Sequence, residues 1–143
     1  MLSFKRTSYN SNLFDIQLSE KLGPMFAVVR RFDRGANKIQ LCVQLESVDR
    51  LRIQNVEREI SSQFSNFSSA LNEDQLSHIT IPSQYGSILL KLKTIDNKPL
   101  LPEHIVDGVE CVLTIQPKKV ICMPDKTICS WLCESFCANI QYA

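Results

Sequence analysis

The sequence predicts a mainly β domain of the α+β class, with one or two helices. Three observations carry that expectation. "FAVVRRF" (26–32) and "KIQLCVQL" (38–45) are rich in β-branched and aromatic residues and flank a link, "DRGAN", that suits a hairpin. Residues 47–65 then change period, with Ile53, Val56, Ile60, Phe64 and Phe67 recurring at helical steps. Further on, "VECVLTIQ" (109–116) alternates apolar and polar residues, as a half-buried strand does.

Taken in order, residues 1–12 are polar and are expected to be a flexible segment, with a single domain over 13–143. In the second hairpin strand Ile39, Leu41, Val43 and Leu45 form one apolar face. Ser47 is placed to cap the helix and Asp49 to favour its positive end. Arg50, Arg52, Glu57, Arg58 and Glu59 are expected to ring its solvent side. Residues 66–84 read as a polar loop with at most a short helical turn. The stretch "YGSILLKLKT" (85–94) reads as a strand in which Ile88, Leu90 and Leu92 face the core. Lys91 and Lys93 face the other way, because an unpaired ammonium is too costly to bury. "DNKP" marks a turn, and Asp107-Gly108 leads into the strand at 109–116. "PKKVICMPDK" reads as a connection. The segment "TICSWLCESFCANIQY" fits a helix through Cys129, Leu132, Cys133, Phe136, Cys137 and Ile140, and a strand through Ile128, Leu132, Phe136 and Ile140. Its length favours the helix.

Composition narrows the function. The chain has 143 residues and a formal net charge of +1, from 16 basic and 15 acidic residues, so any basic site must be a local patch. No run approaches the ~18 apolar residues of a membrane span, and no export signal opens the chain, so an intracellular place in cytosol or nucleus is expected. Six cysteines in that setting read as free thiols. Cys129, Cys133 and Cys137 lie at four-residue steps among apolar neighbours, a spacing that suits packing better than zinc. His78 and His104 stand outside any catalytic motif, and no phosphate-cradling glycine loop occurs among the four glycines. The sequence therefore points to a non-enzymatic protein with no metal and no cofactor.

The basic residues are the more informative set. Arg30, Arg31 and Arg34 surround Phe32, Lys38 opens the returning strand, Lys91 and Lys93 share a face, and Lys118 and Lys119 follow "TIQP". Tyr85 and Trp131 lie near two of these groups. Singly, each cluster is an ordinary solubilising group at a strand end. Together they match what single-stranded nucleic acid requires, cations along the backbone and flat side chains under the bases. Trp131, beside Leu132 and Phe136, reads either as a stacking platform or, more naturally, as core.

The order of two strands, the helical stretch "VDRLRIQNVEREI", "YGSILLKLKT", "VDGVECVLTIQP" and a tryptophan-bearing "TICSWLCESF" resembles the single-stranded DNA-binding proteins of DNA viruses and phages. The resemblance covers residues 38–137. It implies an OB-like small Greek-key barrel with its helix between strands 3 and 4. It implies binding of single-stranded DNA, or RNA, in replication, recombination or repair, with homo-oligomers and replication proteins as further partners and the host nucleus as location for a viral member. The chain departs from the pattern in ending "CANIQYA" rather than in an acidic tail, and in having one Trp and three Tyr. The competing expectation is a viral or cellular structural or adaptor protein acting through protein–protein contacts.

Overall fold

A computed structural model describes residues 2–17, 21–34, 38–71, 76–82 and 92–140, and at 32–34, 38–39, 76–82 and 102 the backbone alone. The chain is mainly β with one α-helix among the described residues. The strands are β1 (Ser3–Arg6), β2 (Leu13–Gln17), β3 (Leu22–Arg34), β4 (Lys38–Leu45), β5 (Leu76–Pro82), β6 (Leu92–Thr94), β7 (Glu110–Cys122) and β8 (Thr127–Ala138). Helix α1 (Ser47–Ser61) lies between β4 and β5, and a 3-10 turn covers Pro102–His104.

All strands belong to one sheet, ordered β1-β2-β7-β3-β4-β5-β8-β6, with β7 also paired to β8. The pairings therefore return on themselves through β7, β3, β4, β5 and β8. The β7–β8 side is a long antiparallel ladder from Cys111↔Ala138 to Cys122↔Thr127. The β5–β8 side is a single parallel pair, Thr80↔Leu132. That seam is too short to zip the edges together, so the sheet is not closed into a barrel, contrary to the OB-like expectation. The helix also follows the fourth strand rather than the third.

The β3–β4 hairpin forms where the alternating runs predict it, with Ala27↔Leu45 and Val29↔Val43 in register. Leu41, Val43, Leu45, Val29 and Ala27 are buried, as the apolar face requires. Helix α1 lays Ile53 and Ile60 into the core and packs Val56 against it. Phe64 and Phe67, expected on the same helical face, lie beyond the helix end at Ser61 and pack against the core from the segment that follows. Its N-cap is Glu46, which makes no side-chain capping bond, and Asp49 in the first turn pairs with Arg52 at 3.3 Å. The turns at Asn97 and Gly108 take positive φ, 66° and 93°. Gly108 donates to Val29 O at 2.7 Å, which ties its turn to β3, and Val109 N closes the turn on Val106 O at 3.2 Å. Gly23 has φ 142°, and a Cβ there would stand 2.8 Å from Leu113 O, so only glycine lets β3 approach β7 at that point.

Several segments differ from expectation. Part of the N-terminal segment, expected to be flexible, forms β1, because Phe4 packs edge-on to Phe64 with ring centroids 5.2 Å apart and β2 supplies its ladder. Part of the polar stretch 66–84 is β5, recruited by β4 from Lys38↔Pro82 to Gln44↔Leu76. The connection expected after Gln116 continues as strand to Cys122 past a bulge at Lys118. The last segment is strand β8, not helix. Thr127, Cys129, Trp131 and Cys133 are buried, then a register shift at Glu134 moves the buried parity to Phe136 and Ala138. The bulge hides the period of two and leaves the accidental helical stripe visible.

Glu57, expected on the solvent side of α1, is 6% exposed. Its carboxylate accepts hydrogen bonds from Ala70 N and Ser69 Oγ, both at 2.7 Å, and so ties the helix to the segment after it. Burial pushes the Glu57 carboxyl above its ordinary value of 4.5, against the downward pull of those two bonds. The folded state then holds this proton more tightly than the unfolded state. The group's contribution is fully present below the unfolded value and is lost as pH rises through the raised folded value. Glu57→Gln removes this dependence. In urea titrations, the stability of the variant relative to wild type should improve from pH 4.5 upward. A difference that stays constant with pH would show that the carboxyl titrates alike in both states.

Candidate functional site

Strand β7 organises the exposed face of the sheet. Cys111, Leu113, Ile115 and Pro117 point into the core, while Glu110 is exposed and Val112, Thr114 and Gln116 are half-buried on the opposite face. Lys118 is the extra residue of a bulge between Pro117↔Trp131 and Lys119↔Ser130. The bulge resets the alternation, so Val120 is buried and Lys119 stays on the outer face. Residues directly opposite on neighbouring strands share a face. Two rows of outer side chains follow from the registers. One runs Phe26, Val112, Cys137, Lys93 across β3, β7, β8 and β6. The other runs Lys5, Asp15, Lys119, Ser130 across β1, β2, β7 and β8. The rows lie roughly 20 Å apart along β7, at ~3.3 Å per strand residue.

The second row ends under an aromatic ring. Tyr9, in the β1–β2 turn, is 72% exposed. Lys119 Nζ donates to Tyr9 Oη at 2.8 Å, lies 5.5 Å from its ring centroid and pairs with Asp15 at 3.4 Å. The Tyr9 hydroxyl and then Asp15 raise the Lys119 pKa, which keeps the ammonium charged. Lys118 is half-buried beside it and Lys5 is exposed. Three lysines against one aspartate leave a local positive excess next to a flat exposed ring.

The first row borders a groove of about 500 Å³ between β3, β4 and the start of α1. Phe26 is 68% exposed there, and Val28 and Arg30 follow it along β3. Arg30 donates from Nε to Gln44 Oε1 at 3.1 Å and pairs with Asp107 at 3.4 Å. Arg50 Nη1 reaches Leu45 O at 3.5 Å. At the far end of this row Lys93 is half-buried, with its neighbour Leu92 fully buried. Lys93 stands three strands from Phe26, roughly 14 Å away at ~4.8 Å per strand.

The structure thus gathers some of the expected site residues and separates others. Arg30 and Lys93 share the Phe26 end, and Lys118 and Lys119 the Tyr9 end. Arg31 is exposed past a bulge in β3, opposite Cys42, whose thiol is raised by burial and lowered in part by the Arg31 charge. Phe32, Arg34 and Lys38 lie at the far end of the β3–β4 hairpin, where only the backbone is described. Tyr85 and Lys91 lie outside the described residues. Trp131 is 2% exposed within the core, so it is not a stacking platform. Phe26 and Tyr9 were not among the expected site residues. Phe26 was legible, since a period of two puts it on the face of Arg30. Tyr9 was not, because only the β1–β2 hairpin brings it over Lys119.

The thiols behave as core. None of the six cysteines is in a disulfide, and Cys42, Cys111, Cys129 and Cys133 are buried. Burial pushes the Cys111 thiol up to about 12 and raises Cys129 as well, which keeps both protonated and unreactive at neutral pH. Among the described residues no group of three or more His, Cys, Asp or Glu side chains is placed to hold a metal, and no helix is long and apolar enough to cross a membrane. The chain matches no protein-family model, no curated protein and no solved structure.

Proposed function

We propose that the protein is a non-enzymatic binder of single-stranded nucleic acid, DNA in the first instance, serving replication, recombination or repair. The observation that supports this best is the placement of two exposed aromatic rings on one face of the sheet, Tyr9 with Lys119 5.5 Å from its ring centroid and Phe26 in a groove that Arg30 and Arg50 also line. Bases stack on such rings without regard to sequence, and lysines meet the phosphates between them. The net charge of +1 makes this face, rather than the whole molecule, the source of attraction.

Fluorescence anisotropy of a labelled oligothymidylate, at salt concentrations of roughly 50 and 200 mM, tests the reading. Affinity should fall steeply between them, with a log–log slope of about 0.7 per neutralised phosphate. No binding at the lower salt would overturn it and favour the adaptor reading. That alternative rests on Val48 and Leu51, which are 60% and 54% exposed near the start of α1.

A further inference from the structure

We propose that the groove beside Phe26 is a base-reading pocket that accepts a guanine from the bound strand. The inference rests on the single-strand reading above and assigns to one end of that face a specificity that stacking alone does not supply.

The charges of the groove decide what enters it. Arg30 and Arg50 line it together with Glu46 and Glu110, so its formal charges cancel. The two arginines already have partners in Gln44, Asp107 and the Leu45 carbonyl. Neither the Glu46 nor the Glu110 side chain is engaged with a described residue. Besides the remaining guanidinium N–H groups, the groove offers a ligand an exposed aromatic wall and two carboxylates that no described residue engages. Carboxylates repel phosphate and accept hydrogen bonds only from donors. The occupant that fits is an uncharged flat ring with donors on its edge, a nucleobase rather than the backbone.

Among the bases, guanine meets a carboxylate best. Its ring N–H and exocyclic amino group lie side by side and match the two carboxylate oxygens, a paired charge-assisted contact. Thymine presents a single N–H between two carbonyls, which a carboxylate repels, and adenine and cytosine present one amino group. The volume of about 500 Å³ accommodates a purine stacked on Phe26. The lysine-rich end near Tyr9, roughly 20 Å away along β7, holds the phosphates and presents the chain to the groove. Division of labour between the two ends follows from charge: backbone at Lys118 and Lys119, base at Glu46 and Glu110.

The test compares an oligothymidylate of about ten nucleotides with the same strand carrying one central guanine. Wild type should bind the guanine strand about tenfold more tightly, in line with one good bidentate contact. The double variant Glu46→Gln, Glu110→Gln should lose that preference, with an affinity for oligothymidylate equal to or above that of wild type because two phosphate-repelling charges are gone. Phe26→Ala should lose the preference too. Equal binding of both strands by wild type would overturn the pocket and leave the single-strand reading standing, and this comparison needs no variant to fold. Binding of neither strand would overturn both. Retention of the preference in the double variant would place guanine recognition elsewhere and overturn the assignment.

Discussion

Trp131→Ala should cost ~3–5 kcal/mol of stability, the range for deleting a large aromatic from a packed core. Trp131 sits on β8 opposite Pro117, 2% exposed, within the cluster that includes Leu113, Ile115, Val120 and Phe136. Domains of this kind are stable by only about 5–15 kcal/mol, so the loss would leave a marginal fold at best. Urea unfolding followed by circular dichroism reads it directly. The indole Nε1 is buried with no hydrogen-bond partner among the described residues. Trp131→Phe therefore removes a costly orphan donor along with some volume, and should be far milder than the alanine change. Oligonucleotide should leave Trp131 emission free of the quenching that direct stacking brings. An alanine variant of near wild-type stability that binds oligonucleotide poorly would reverse the assignment and make Trp131 a surface platform.

The double change Lys118→Gln, Lys119→Gln should weaken single-strand binding on the order of tenfold or more at low salt. It should flatten the salt dependence by roughly one unit for each of the two lysines that meets a phosphate, somewhat less on a single strand. Glutamine is the better probe here than glutamate. A new negative charge beside Asp15, which pairs with Lys119 at 3.4 Å, would add repulsion within the fold itself. Loss of that exposed ion pair should cost little stability, since such pairs contribute a fraction of a kcal/mol to about 1 kcal/mol. Matched salt titrations of wild type and variant provide the measurement. An unchanged slope would mean that these lysines do not meet phosphate.

Charge placement on the outer face shows how far local reading reaches. Lys93 could be placed opposite Leu92 from alternation alone, and the structure buries Leu92 and leaves Lys93 half-buried. Arg30 could be linked to Phe26 in the same way. Which strands lie next to one another could not be read, because each ladder joins residues far apart in the chain. Phe26 meets Val112, and Asp15 meets Lys119. The rows that put Phe26 with Lys93, and Lys5 with Lys119, exist only once β7 has taken partners on both edges.

By itself the sequence determined the mainly β class, the β3–β4 hairpin, the amphipathic helix and the turns at Asn97 and Gly108, because period and turn chemistry are short-range properties of the chain. Tertiary structure decided the rest. It made β8 a strand, since a central position between β7 and its parallel neighbours satisfies backbone groups on both edges and outweighs the helical stripe. It drew β5 out of a polar stretch by offering it the free edge of β4. It buried Glu57, whose charge pattern suggested solvent, because Ser69 and Ala70 supply donors that no helical pattern records. It also brought Tyr9 over Lys119, across 110 residues of sequence, through two ladders that no local pattern encodes.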